Sequence, residues 1–107
     1  MKFKISEDKL EQVIFKFLDN KLVVEETKKK YHFFEKGDND YLNSLIDVVK
    51  VADDELETKR GICDIDNKLI RELMSFFSID EDKSEYVIRN YVQKKLDIKI
   101  VSTWISY

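Results

Sequence analysis

Proline is absent from the 107 residues, and the only glycines are Gly37 and Gly61. Those two residue types supply most of the fixed or positive φ angles with which a chain punctuates itself. Without them no Pro-, Gly- or Ser-rich linker exists, and residues 1–107 read as one continuous domain. Turns must then be built by Asp and Asn, as at Gly37-Asp38-Asn39-Asp40 and Asp53-Asp54-Glu55. The length fits a single hydrophobic core. A hydrophobic share of 43% and an aromatic share of 12% separate the chain from disordered sequences, which are poor in both. No run approaches the roughly 18 apolar residues of a spanning helix, and Met1-Lys2-Phe3-Lys4-Ile5 lacks the apolar core of a signal peptide. The expectation is a soluble intracellular protein with no membrane contact.

Periodicity supplies the elements. Leu10, Val13, Ile14, Phe17 and Leu18 recur at helical spacing, with Ser6 as N-cap and acids in the first turn, which predicts a helix over 7–20. Val23 and Val24 precede a charged bridge to Lys30, and Tyr31-His32-Phe33-Phe34 then predicts a strand. Residues 41–51 carry two signals: Tyr41, Leu42, Leu45, Ile46 and Val49 share a helical face capped by Asp40, while Val48, Val49 and Val51 are β-branched. A helical turn passing into a strand reconciles them. A further strand is expected from Leu56, broken at Gly61 and ending at Ile65. Leu69, Ile70, Leu73, Met74 and Phe77 predict a helix over 67–77 capped by Asp66 or Asn67. Val87, Ile88, Tyr91, Val92 and Leu96 predict another, with Asp82 and Glu85 at capping-box spacing. From Asp97 to Tyr107 apolar residues fall on both faces of a strand, which suggests a central place in a sheet. The fold class is α+β, with three helices packed on one face of a small, mostly antiparallel sheet of three to four strands.

Catalytic signals are thin. The one nucleophile and base pair of interest, Cys63 and His32, reads as a small core hydrophobe and a hydrogen-bonded structural histidine. One Cys and one His cannot form a disulfide or complete a zinc site. An EF-hand frame beginning at Asp80 places Glu85 where Gly is required and Tyr91 where the bidentate Glu belongs, so it fails. The pairs Asp38 with Asp40 and Asp64 with Asp66 read as caps or solvated surface. Neither glycine begins a phosphate-binding motif. The chain is therefore expected to be no enzyme, with no cofactor and no metal site.

Two binding readings follow. The helices over 67–96, joined by Ser78-Ile79-Asp80-Glu81, resemble a helix-turn-helix pair whose second member carries Arg89, Asn90 and Lys94, residue types that contact bases and phosphates. Charge argues against it. The net charge is −3, and residues 37–66 alone hold nine acids against three bases, whereas binding by counterion release requires a basic surface. The other reading rests on Val101-Ser102-Thr103-Trp104-Ile105-Ser106-Tyr107, which is uncharged, apolar and β-prone. As an edge strand it would pair with a protein partner or with itself, with Trp104, Ile105 and Tyr107 as contacts. Set against this, a lone Trp in so small a chain is often needed in the core, and the balance leans to Trp104 lying inside.

Arg60-Gly61-Ile62-Cys63-Asp64-Ile65-Asp66, Leu73-Met74-Ser75-Phe76-Phe77-Ser78-Ile79, Val87-Ile88-Arg89-Asn90-Tyr91-Val92 and Leu96-Asp97-Ile98-Lys99-Ile100 resemble small proteins of large tailed bacteriophages that have no assigned activity. In those, a Gly-containing strand leads into a helix ending in two aromatics, then a second helix and a short β tail. The similarity spans about half the chain and carries over no functional residue. It implies a phage accessory or virion protein, placed in the host cytoplasm or the virion, that binds a host factor or phage component. The alternative expectation is a small DNA-binding regulator.

Overall fold

The computed structural model describes residues 7–38, 43–51 and 59–107. Helix α1 (Glu7–Lys21) runs directly into strand β1 (Leu22–Glu26), followed by β2 (Lys30–Glu35), β3 (Ile46–Val51) and β4 (Arg60–Asp66). Helices α2 (Asn67–Phe77) and α3 (Glu81–Leu96) then lead to β5 (Lys99–Ser106). The five strands lie in sequence order, with three antiparallel pairings and a parallel one between β4 and β5. A parallel pair needs a long crossover, and α2 with α3 supplies it.

The core fixes which face the helices cover. Ile14 and Leu18 from α1, Leu69, Ile70 and Leu73 from α2, and Val87, Ile88 and Val92 from α3 are fully buried. They form one cluster with Phe33, Ile46, Val48, Cys63 and Ile65 from the sheet. Alternate strand residues point to opposite faces, so His32, Asp47, Val49, Ile62 and Asp64 lie on the other side. No described helix packs there. Phe34 is buried on that second face, outside the main cluster. Among the described residues no helix is long and apolar enough to cross a membrane.

The expected α+β architecture is present, with five strands where three to four were anticipated. The additional strand is β1. Its hairpin turn uses Thr27, whose hydroxyl bonds the Lys30 carbonyl at 3.1 Å while its amide bonds the same oxygen at 2.7 Å, so no Gly or Pro marks it. Within 41–51 the β-branched signal prevails over Ile46–Val51; Asp40, Tyr41, Leu42 and the expected strand start at Leu56 lie outside the described residues. Gly61 does not break its strand. β4 passes through it, and the irregularity falls on β5, where Gly61 pairs with Ile100 and Ile62 with Ser102, leaving Val101 as an extra bulged residue. In α1 the stripe is centred on Ile14 and Leu18, and Val13 is largely exposed. The α3 cap is Asp80, whose carboxylate accepts from the Lys83 amide at 2.7 Å. Asp82 therefore sits inside the first turn, where its charge still complements the helix dipole. Asp66 caps α2 as expected, accepting from the Lys68 amide at 2.8 Å.

Candidate protein-interaction site

Strand order decides the fate of the C-terminal segment. Among the described residues β5 pairs with β4 alone and forms one edge of the sheet, which corrects the expectation of a central strand. Its apolar residues on both sides reflect a core-facing side, where Ile100 is buried and Ile105 packs against the cluster, and a second, exposed side. Trp104 is 64% exposed, Tyr107 85% and Val101 49%. The core reading of Trp104 is thereby overturned: the volume of the core is met by Phe33, Ile14, Leu18 and Ile88 instead.

The turn into β5 is well anchored. Asp97 ends α3 in the left-handed region at φ 51°. The Gln93 carbonyl accepts from the Ile98 amide at 3.2 Å, and its side-chain oxygen accepts from the Ile100 amide at 3.0 Å. The far end is tied by the Ser106 hydroxyl, which donates to Asp64 at 2.6 Å, and by the Tyr107 hydroxyl bonded to Glu81. An edge held at both ends is pre-ordered, which lowers the entropic cost of pairing with another strand.

Register places Trp104 at the end of a cross-sheet row. Glu25 faces His32, His32 faces Asp47, Asp47 faces Asp64, and Asp64 faces Trp104. His32 Nδ1 lies 2.7 Å from Asp47. The two aspartates stand side by side, each holding a hydrogen-bond partner, His32 for one and Ser106 for the other. The row sets a histidine beside two carboxylates. Ser106 is committed to Asp64, and Cys63 points to the core side, where burial foremost and Asp64 next push its thiol up to about 12. A thiol so protonated is a poor nucleophile. Among the described residues no group of three or more His, Cys, Asp or Glu is arranged to hold a metal ion.

The edge at the opposite end differs in kind. β1 carries Glu25 and Glu26, and Lys50 from β3 bonds Glu26, reaches the Thr27 carbonyl at 3.1 Å and sits 4.7 Å from the Tyr31 ring centroid. Charges on an edge strand discourage strand addition. β5 has Lys99 at its start and no other charge.

Of the residues that suggested nucleic-acid contact, Arg89 and Lys94 lie on different surfaces. Arg89 lies over the Tyr86 ring at 5.5 Å, beside Asp82 and Glu85. Asn90 is half-buried and bonds Gln93. Lys94 belongs to another surface, a groove of about 510 Å³ between α1 and α3 lined also by Phe15, Lys16, Asp19, Tyr91 and Lys95. There the Tyr91 hydroxyl donates to Asp19 at 2.7 Å and Lys95 approaches it at 3.1 Å. The Tyr91 bond foremost holds the Asp19 carboxyl below the usual carboxylate range, and burial with the Asp19 bond raises the Tyr91 phenol. Sequence reading did not find this groove, because Phe15, Lys16 and Asp19 fall outside the apolar stripe that defined α1. Comparison with protein-family models, curated proteins and solved structures finds no match.

Proposed function

We propose that this chain is a non-enzymatic interaction protein, an accessory or virion protein of a large tailed bacteriophage acting in the host cytoplasm or the virion, whose contact element is β5. The observation that carries the reading is a lone tryptophan, Trp104, 64% exposed on an edge strand that has no charge after Lys99. Edge strands of monomers are normally blunted by charge or proline, and exposed aromatics are the side chains that most often anchor protein contacts. The occupant is an extended, uncharged segment of a protein, added to the sheet beyond β5. Main-chain hydrogen bonds would supply affinity, and Trp104 with Tyr107 would supply selectivity.

The test is co-expression of tagged protein with its partners, nuclease treatment, and recovery on the tag, for wild type and for Trp104→Ser with Tyr107→Ser. Both side chains are exposed, so the variant keeps its circular dichroism and melting temperature. A stoichiometric protein, including an untagged copy of this chain, held by wild type and lost by the variant supports the reading. Equal recovery with both overturns it.

A further inference from the structure

We infer that the segment added to β5 is β5 of a second copy, in an antiparallel pair with a dyad through Trp104. The inference rests on the edge-strand reading above and names its partner. A two-fold interface must be self-complementary, because each residue i that meets j implies a j that meets i. The exposed apolar side chains of this segment are Val101, Trp104 and Tyr107, evenly spaced about Trp104. In an antiparallel pair centred there, Trp104 meets Trp104 of the partner subunit, Val101 meets Tyr107 of the partner subunit, and Ser102 meets Ser106 of the partner subunit. Thr103 then meets Ile105 of the partner subunit. The run Val-Ser-Thr-Trp-Ile-Ser-Tyr thus reads almost alike in residue class from either end, with like set against like.

Three further observations fit this register. Residues 100–107 carry no charged side chain, so a copy approaching this edge meets no like-charge pair, the usual deterrent to self-pairing. Directly paired residues share a face. Thr103 and Ile105 pair with Cys63 and Ile65 on the helix side, and Ser102, Trp104 and Ser106 pair with Ile62, Asp64 and Asp66 on the other. Every pair from Ser102 to Ser106 therefore joins residues of the same face, and the two helix layers come to lie on one side of a continuous ten-stranded sheet. The bulge at Val101 ends the regular stretch, so the match spans Ser102 to Ser106 with Val101 and Tyr107 as flanks. β1 offers no such match, since Glu25 and Glu26 would be brought against a second pair of acids.

The decisive experiment is sedimentation of the purified chain over a range of concentrations, with two charge variants at the flanks. Val101 and Tyr107 are both exposed, which keeps the variants folded, and circular dichroism verifies this. Wild type is expected to reach twice the 12.8 kDa chain mass. Val101→Lys with Tyr107→Lys sets like charges opposite each other twice and is expected to sediment as the single chain. Val101→Glu with Tyr107→Lys sets opposite charges there and is expected to restore the doubled mass, which a parallel or shifted pairing would not do. A wild type that stays at the single-chain mass at every concentration overturns the dyad, while loss of a foreign partner by the Trp104→Ser, Tyr107→Ser variant would still sustain the edge-strand reading. Equal association by both charge variants overturns the register.

Discussion

Gly61→Ala tests how closely β4 is packed against β3 and against Ile98. A Cβ built at Gly61 falls 2.8 Å from Val48 Cγ1, 3.0 Å from Ile98 Cδ1 and 3.3 Å from the Val49 carbonyl oxygen. Carbon pairs are most comfortable at about 3.5–4.0 Å, so the Val48 contact alone is about 0.7 Å short. Val48 is fully buried and β-branched, with little rotamer freedom to yield. Overpacking of this kind costs about 1–3 kcal/mol. Replacing Gly recovers about 0.4–1 kcal/mol from the unfolded chain, which leaves a net loss of about 1–2 kcal/mol. For a domain of this size that is a fall in melting temperature of about 5–15 °C, read by far-ultraviolet circular dichroism at one fixed concentration. In a Val48→Ala background the penalty should shrink, because the blocking methyl is gone. A Gly61→Ala protein that melts at or above wild type would refute the close approach, and an unchanged penalty beside Val48→Ala would refute its assignment to Val48.

Asp80→Ala removes the α3 cap and should cost about 1 kcal/mol in urea unfolding, whereas Asp82→Ala should cost less, which separates the two acids as caps. Tyr91→Phe removes the shorter of the two hydrogen bonds to Asp19, leaving that of Lys95, and should lower stability by about 1 kcal/mol near neutral pH, measured in the same way. Cys63 should resist alkylation in the native state at pH 8 and react fully in urea. Because its thiol is raised from an ordinary 9.0 to about 12, the stability it contributes is complete below pH 9 and is lost as pH rises towards 12. The deficit of Cys63→Ala relative to wild type should therefore narrow over that interval.

The helices were legible because each buries a stripe at helical spacing, and the caps of α2 and α3 are aspartates the backbone can use; Ser6, the cap expected for α1, lies outside the described residues. The choice between Asp80 and Asp82 was not legible, since both sit at plausible distances from the first apolar residue and only the Lys83 amide decides. β1 escaped notice because a threonine builds its turn and its outer residues are Glu25 and Glu26, which read as a charged bridge. Gly61 read as a break because glycine weakens strands, when its role is to admit Val48 and Ile98. The alternation in β5 showed apolar residues on both sides, which fits a central strand as well as an edge; its place depends on which strand lies beside it, a long-range fact that local pattern does not contain. The interaction residues Trp104, Ile105 and Tyr107 could be named from their chemistry, but the exposure that gives Trp104 its meaning required the strand order. Of the three, Ile105 is partly buried against the core and serves the fold first.

The most direct test of the account is the fluorescence of Trp104, the single tryptophan of the chain, followed on dilution. With β5 as a pairing edge, the indole is covered at high concentration and exposed when the partner leaves. The emission maximum should move to longer wavelength and quenching by acrylamide should rise as the protein is diluted, in step with the fall in sedimented mass. An emission maximum characteristic of a solvated indole at every concentration, unmoved by dilution, would contradict self-pairing through this edge.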